Sequence, residues 1–193
     1  MLGKCRTRKY YLCLKNSISL FLIIVCCAVL QGCFISLIAG NPLGSGVGDN
    51  KFETTPGIQF GMQEIKPNGK GYRLGMAYQQ LKNSLGGSTA EGDILTPFFF
   101  DYIGNIYNNY DNAQGMGVHF TVGGSWYFSK LDEVSEYDGY GAFSGAAGLA
   151  FRYNGEKHDL TFSTKYLYYF NDEILDALDQ DGSGFEIGIL YAF

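Results

Sequence analysis

The sequence predicts an all-β fold: an up-and-down antiparallel β-barrel of about eight strands that follows an N-terminal export segment. Three observations support this fold class. Apolar and polar residues alternate with a period of two over most of residues 57–193. Short turns and long polar loops follow each other between the alternating segments. The chain is also rich in glycine and aromatic residues, with 27 Gly, 15 Tyr and 15 Phe, a composition typical of β-barrels.

Seven strands are predicted from the alternation. In the clearest one, apolar side chains occupy most even-numbered positions from Val118 to Phe128, and small or polar side chains occupy most positions between them. The seven predicted strands are 57–64, 71–80, 94–106, 117–128, 142–153, 158–170 and 185–193. Single-chain bacterial barrels have an even number of strands. We therefore expect an eighth strand in the N-terminal segment 33–56, with 34–39 as the candidate.

The connections between the strands alternate in length. Short turns are predicted at 66–70 and 154–157, a medium turn at 108–115, and long polar loops at 82–93, 129–141 and 171–184. The short turns contain Asn68-Gly69 and Asn154-Gly155, dipeptides that favour hairpins because both residues can take positive φ. Membrane barrels show the same alternation, with turns facing the periplasm and loops facing outward. The last strand leaves a long loop, so we expect it to end on the turn side.

The alternating strands fit two arrangements. In a soluble barrel the apolar face points inward, whereas in a membrane barrel it points to lipid and the polar face lines the lumen. The polar faces here are mostly Gly, Ala, Ser and Thr, which suits the narrow lumen of eight strands, and aromatic residues near the strand ends suit the membrane interfaces. Pro97 has no amide hydrogen, so it should lie at a bulge or outside the membrane-spanning part of its strand. The sparse charges predict a polar network in the lumen, formed by Arg73, His119, Arg152, Asp159, Lys165 and Glu186.

The first forty residues have three zones. Basic residues from Lys4 to Lys15 precede an apolar run at 18–30, and Leu30-Gln31-Gly32-Cys33 follows. This order is typical of a secretory signal. The last four residues resemble a bacterial lipobox, a resemblance that implies lipidation of Cys33 as the first residue of the mature chain. The predicted divisions are a signal peptide at 1–32, an N-terminal segment at 33–56 and a barrel at 57–193.

Cysteine usage agrees with this prediction. Four of the five cysteines lie in the leader, and Cys33 is the one left in the mature chain. A single cysteine cannot form an internal disulfide, and acylation explains its presence in an exported chain. Two alternatives stay open: an uncleaved leader in which 18–39 spans the bilayer as a helix, and cleavage near Ala39 or Gly40 without lipidation.

Charge excludes some partners of the mature chain. The leader holds five of the fourteen Lys and Arg and none of the nineteen Asp and Glu, which leaves a formal charge of −10 after cleavage. Nucleic acid is therefore not an expected partner, because its binding needs clustered basic residues. Attachment to anionic lipid through a basic patch is not expected either.

The C-terminus carries a second resemblance. The final strand alternates apolar residues and ends in Tyr191-Ala192-Phe193, which is similar to the terminal signal of bacterial outer-membrane barrels that closes on Phe. The resemblance implies that the barrel-assembly machinery reads Phe193 and inserts the chain into outer-membrane lipid, with the N-terminus periplasmic. By pattern, residues 57–193 resemble the small eight-stranded outer-membrane barrels of Gram-negative bacteria.

Two groups of residues are candidates for a chemical site, one catalytic and one for calcium. His119 lies near Thr121 and Ser125 on the predicted lumen face, but the His-to-Ser spacing of outer-membrane acyl hydrolases is missing, so no enzyme and no cofactor are predicted. Residues 179–184 match the first positions of a calcium-binding loop. The position where such a loop has a bidentate Glu ligand is Leu190, so no metal is predicted. The candidate ligands of that loop are Asp179, Asp181 and Ser183.

The function expected from these observations is a structural or surface-interaction role in the outer membrane, with acidic outer loops as the contact surface. Two alternatives belong to other classes. One is a lipid-anchored soluble barrel that binds an apolar ligand, as lipocalin-like domains do. The other is an envelope-lipid hydrolase.

Overall fold

A computed structural model describes residues 32–41, 51–85, 88–111, 114–131, 141–155, 158–170 and 183–193. Its secondary structure consists of nine strands: β1 Cys33–Asn41, β2 Lys51–Phe52, β3 Thr55–Ile65, β4 Gly71–Leu85, β5 Ser88–Asp111, β6 Gln114–Leu131, β7 Ala142–Asn154, β8 Asp159–Phe170 and β9 Ser183–Ala192. The predicted signal segment lies outside the described residues except for Gly32, as do Asp179 and Asp181 of the candidate calcium loop. Of the two alternatives, the helix 18–39 lies outside them only up to residue 31, whereas its residues 33–39 and the alternative cleavage positions Ala39 and Gly40 belong to β1. Within the described ranges, no helix is long and apolar enough to cross a membrane.

Eight of the nine strands close into one ring. The hydrogen-bonded order is β1, β3, β4, β5, β6, β7, β8 and β9, and β9 pairs again with β1. Every neighbouring pair is antiparallel. The two residues of β2 pair only with the end of β4, outside the ring. The predicted eight-stranded up-and-down barrel is therefore confirmed.

The eighth strand is β1, as the even strand number required. It covers the candidate 34–39 and begins at Cys33 itself. On one side it pairs with β3 and on the other with β9, so it closes the barrel between the first and last strands. The hydrogen bonding between β1 and β9 continues one residue beyond β9, where the Phe193 amide donates to the Cys33 carbonyl oxygen at 3.0 Å.

At one end of the barrel, called here the turn end, β3, β5, β7 and β9 end and β4, β6 and β8 begin, and Cys33 and Phe193 lie at this end as well. At the opposite end, the loop end, β1, β4, β6 and β8 end and β3, β5, β7 and β9 begin. At the turn end Gly69 has φ of +77°, as its Asn-Gly dipeptide predicted. Gly155 does not adopt positive φ, and its amide donates a hydrogen bond to the His158 carbonyl oxygen at 2.9 Å.

Two connections are shorter than predicted, because the strands on either side continue into them. Residues 82–85 and 88–93, which lie in a predicted long loop, extend the β4–β5 ladder as far as the pair Leu85 and Ser88. Residues 108–111 and 114–115, which lie in a predicted turn, likewise extend β5 and β6, with Tyr110 opposite Gly115. Beyond the barrel wall neither face of a strand needs to be apolar, so these ladders continue without the alternation from which the strands were predicted.

Pro97 interrupts the ladder as predicted. The register between β5 and β6 shifts between Leu95 and Phe98, and the register between β4 and β5 shifts between Gly75 and Ala77. Pro97 thus lies at an irregularity where no amide donor is required. This register irregularity agrees with the first of the two positions predicted for Pro97, a bulge or a place outside the membrane-spanning part of its strand.

The outer wall of the barrel is apolar, and its interior holds buried polar and charged side chains together with a small hydrophobic core of Phe34, Phe99, Leu190 and Ala192. The largest outward side chains are hydrophobic and remain exposed, for example Leu37 at 67% and Leu149 at 56%. Exposed hydrophobic side chains occur on seven of the eight strands of the ring. The exception is β3, whose outward apolar residues are half-buried. Most buried polar positions face the interior: Ser36, Gln59, Gln63, Arg73, Gln79, Thr96, Asp101, His119, Thr121, Ser144, Arg152, Thr161, Ser163, Lys165 and Glu186.

Candidate functional site: the polar interior

The structure places the six predicted lumen residues on the inner side of the barrel. Arg73, His119, Arg152, Lys165 and Glu186 are each at most 6% exposed, and the Asp159 side chain is 15% exposed. They do not form a single network. Three of them belong to a cluster at mid-height and three to a cluster at the turn end, each with partners that the sequence pattern did not identify.

The mid-height cluster, called here the central ion cluster, joins Gln59, Arg73, Asp101, Lys165 and Glu186. Lys165 Nζ lies 2.5 Å from Asp101 Oδ2, and Arg73 Nη1 lies 3.8 Å from the same oxygen. Lys165 is directly opposite Glu186 across the β8–β9 ladder. Gln59 Nε2 donates to both Glu186 carboxylate oxygens at 3.2 Å.

The central ion cluster is balanced in charge, with two cations and two carboxylates. Isolated buried charges are strongly unfavourable, so each charge requires a close partner. The cations also lie over aromatic faces, with the Arg73 guanidinium 5.3 Å from the Phe34 ring centre and Lys165 Nζ 5.5 Å from that of Phe99. Ions and aromatic rings therefore lie together in the interior at this height.

Asp101 is central to this cluster but was missed in the sequence. It was absent from the predicted network because its segment reads as a nearly continuous apolar run, Ile94 to Ile106, without clear alternation. One signal was available. Asp101 is the only charged residue from Ile94 to Tyr110, and a charge in an apolar strand of a membrane barrel must face the lumen.

The turn-end cluster joins Tyr110, His119, Arg152, Asn154 and Asp159. Arg152 forms an ion pair with Asp159, and its Nη2 donates to Asn154 Oδ1 at 3.2 Å. Its guanidinium lies over the Tyr110 ring, 5.4 Å from the ring centre. Tyr110 Oη is 2.7 Å from His119 Nε2. Tyr110 was missed because it lies in 108–115, which the sequence predicted to be a turn.

The histidines and serines do not form a nucleophile–base pair in the described part of the chain. His119 contacts Tyr110, whereas Ser125 Oγ is 2.6 Å from Ser144 Oγ. His158 Nδ1 is 2.8 Å from Tyr191 Oη on the exposed side. Among the described residues, no group of three or more His, Cys, Asp or Glu side chains could hold a metal ion.

The interior above the central ion cluster has little free space. A cavity of about 50 Å³ lies between Lys165 and the loop end, and polar side chains such as Gln79 and Thr96 contribute to its walls. Typical ligand sites occupy roughly 300–1,000 Å³. The cavity therefore has room for water but not for an organic ligand.

Outside the ring, the loop end carries a small ion-pair cluster. Glu53 follows β2 and lies 3.1 Å from Lys82 Nζ, and Ser84 Oγ donates to it at 3.1 Å. The hydrogen bond from Lys82, followed by that from Ser84, lowers the pKa of the Glu53 carboxyl below its ordinary value. These contacts attach β2 to the β4–β5 hairpin where it extends past the barrel.

Two further predicted residues lie at strand ends. Cys33 is the first residue of β1, is 1% exposed and forms no disulfide. Ser183, the described member of the candidate calcium loop, is the first residue of β9. Lipidation of Cys33 stays a prediction.

Comparison of the chain with protein-family models, with curated proteins and with solved structures finds no match.

Proposed function

We propose that this chain is an outer-membrane β-barrel lipoprotein of a Gram-negative bacterium, in which the barrel itself crosses the membrane and the loop end serves as a structural or interaction surface. The observation that carries the proposal is the inverted polarity of the barrel. A soluble barrel would bury most of its large apolar side chains, whereas this one exposes most of them around the wall and buries ions and amides beside a small hydrophobic core.

The dimensions and the aromatic residues support the same proposal. The shortest strands of the ring, β1 and β9, have 9 and 10 residues, close to the 9–11 that cross a bilayer when tilted. Outward aromatic residues occur toward both ends, with Tyr102 and Tyr153 on the turn side and Trp126 and Tyr168 on the loop side. Rings at both ends of an apolar band are typical of membrane interfaces.

The proposed role follows from the closed interior and the charge of the loops. The lumen holds the central ion cluster and, beside it, a cavity of only about 50 Å³, so a conducting pore is not proposed. Residues 132–140 and 171–182, which connect strands at the loop end, contain four and five acidic residues respectively and no Lys or Arg. In the proposed orientation these acidic loops face outward and the turn end faces the periplasm.

The two alternative functions receive less support. An apolar ligand would need an apolar internal cavity, whereas the cavity above the central ion cluster is small and partly lined by charged side chains. A hydrolase would need an activated nucleophile, and His119 contacts a tyrosine hydroxyl. That the chain is not an enzyme stays a prediction.

Membrane fractionation of the full chain and its Cys33→Ala variant tests the proposal. We expect both proteins to need detergent for extraction and to migrate differently on gels before and after boiling, because the barrel rather than the lipid holds the chain in the membrane. The barrel proposal would be contradicted if Cys33→Ala became soluble and showed no shift. The lipoprotein part would be contradicted if mass spectrometry found no acyl chain on Cys33 of the unmodified sequence.

A further inference from the structure

Strand β5 has an unpaired edge at the turn end of the barrel. Its ladder with β4 stops at the pair Gly71 and Ile103, whereas its ladder with β6 continues to the pair Asp111 and Gln114. Residues 104–111, called here the β5 edge, are therefore paired on one side, and no other strand in the described ranges pairs with them. An unpaired edge presents backbone N–H and C=O groups on which a further strand can form. The proposed role of the loop end makes no use of this edge.

The backbone groups on the unpaired side of the β5 edge belong to Asn108 and Tyr110. In an antiparallel ladder, successive residues direct their N–H and C=O groups to opposite sides. The Asn109 carbonyl oxygen lies against Gly115 of β6, so Asn109 faces β6 and its two neighbours face the unpaired side. Both neighbours are partly exposed. Among the backbone hydrogen bonds that the described residues form outside the ladders, none involves Asn108 or Tyr110.

The β5 edge lacks the residues that usually prevent a strand edge from pairing. Such edges often carry proline or lysine, whereas residues 104–111 contain neither. The register with β6 shifts between Asn105 and Tyr107 and is regular from Tyr107 to Asp111, so this bulge lies before the unpaired groups. Ile106 and Tyr107 are 55% and 59% exposed. The edge therefore combines unpaired backbone groups with apolar side chains that a partner can cover.

The β3–β4 turn beside the β5 edge is basic. Gly69 lies against the side chains of Asn105 and Asn108, which places the turn 66–70 next to the edge. Lys66 and Lys70 of this turn are exposed, and none of the ion pairs among the described residues includes them. Two lysines without a carboxylate partner attract a negatively charged ligand.

We propose that the β5 edge binds an extended acidic peptide segment, which adds to the sheet as a strand beside β5. The N–H and C=O groups of the segment pair with those of Asn108 and Tyr110. Residues opposite each other in a ladder have their side chains on the same face. Acidic residues opposite Asn108 and Tyr110 therefore lie on the face where Gly69 places the basic turn, and the apolar residues between them lie on the face of Tyr107.

The location of the partner follows from the orientation of the barrel. In the proposed function the turn end faces the periplasm, so the acidic segment belongs to a periplasmic protein. This assignment of compartment rests on the proposed function, whereas the pairing with β5 depends on the backbone geometry alone.

NMR titration of the purified full chain in detergent with acetyl-valyl-glutamyl-valyl-glutamyl-valine amide tests the proposal. We expect saturable shifts of the Asn108 and Tyr110 backbone amides at about millimolar peptide, because few hydrogen bonds hold the segment. N-methylation of both glutamates removes the N–H groups that pair with β5 and should weaken binding about tenfold. N-methylation of the valines, whose N–H groups point away from β5, is the matched control and should leave binding unchanged.

Lysine variants test the preference for an acidic segment. Lys66→Gln combined with Lys70→Gln should weaken binding about fivefold, and added salt should weaken binding to the unmodified sequence. Lys130→Gln, at an exposed position of the loop end, should bind the peptide as the unmodified sequence does. All three lysines are exposed, so the variants should fold, which gel mobility before boiling verifies.

Any of three results would overturn the proposal. One is the absence of a saturable shift at Asn108 and Tyr110 with the acidic peptide. Another is equal binding of the two N-methylated peptides, which would exclude strand pairing through the glutamate amides. The last is equal binding of a peptide with glutamine in place of glutamate, which would exclude the basic turn from the site. The titration reports on the β5 edge whether or not the barrel crosses a membrane.

Discussion

Replacing Asp101 by alanine is expected to lower the free energy of unfolding by about 3–5 kcal/mol, because it leaves Lys165 and Arg73 buried without their shared carboxylate. Both cations are almost inaccessible to solvent, so water cannot replace the lost partner. Urea unfolding of the barrel refolded into lipid vesicles, followed by tryptophan fluorescence, measures the change.

The exposed ion pair at the loop end provides a matched control for the Asp101 prediction. Glu53→Gln removes a carboxylate that also pairs with a lysine, but the two side chains are 44% and 41% exposed. Pairs of this kind contribute about 0–1 kcal/mol. Equal effects of Asp101→Ala and Glu53→Gln would contradict a buried central ion cluster.

Replacing Leu149 by arginine is expected to destabilise the barrel by about 2–4 kcal/mol if the wall faces lipid. Leu149 lies near the middle of β7, points outward and is 56% exposed. In a soluble barrel the same change on an exposed surface would alter stability by only about 0.5 kcal/mol. The same urea titration in vesicles distinguishes the two cases.

Gln114→Arg is the control for the Leu149 prediction. Gln114 is exposed and begins β6 at the turn end, beyond the apolar band. It should tolerate arginine in either arrangement. A small effect of Leu149→Arg, similar to that of Gln114→Arg, would mean that the wall does not face hydrocarbon.

The fold could be predicted because each strand carries its own evidence. Alternation, turn dipeptides and Pro97 identified seven strands and a bulge, and the even-number rule required the eighth. That strand was harder to identify by itself, because the apolar run of 34–38 with Ser36 inside it follows directly on the hydrophobic leader. The pattern could not predict how far the hairpins extend, since strands outside the barrel wall need no apolar face.

The partners within the interior were less predictable than the interior residues themselves. Alternation identifies which side chains face inward, but their contacts depend on how eight strands are offset around the ring. Lys165 meets Asp101 across the lumen, 64 residues away in sequence. The spacing of residues within one strand does not predict contacts between strands that are so far apart in sequence. The six residues predicted as one network therefore belong to two clusters in the structure.

The most direct test of the membrane arrangement uses the chain's single tryptophan. Trp126 is 40% exposed on the outward face of β6, in the loop-side half of the strand. The protein is reconstituted into vesicles whose lipids carry bromine, a contact quencher, at defined depths along the acyl chains. We predict blue-shifted emission that brominated lipids quench, most strongly when the bromine lies near the interface. Red-shifted emission that aqueous acrylamide quenches and brominated lipids leave unchanged would contradict a lipid-facing barrel wall.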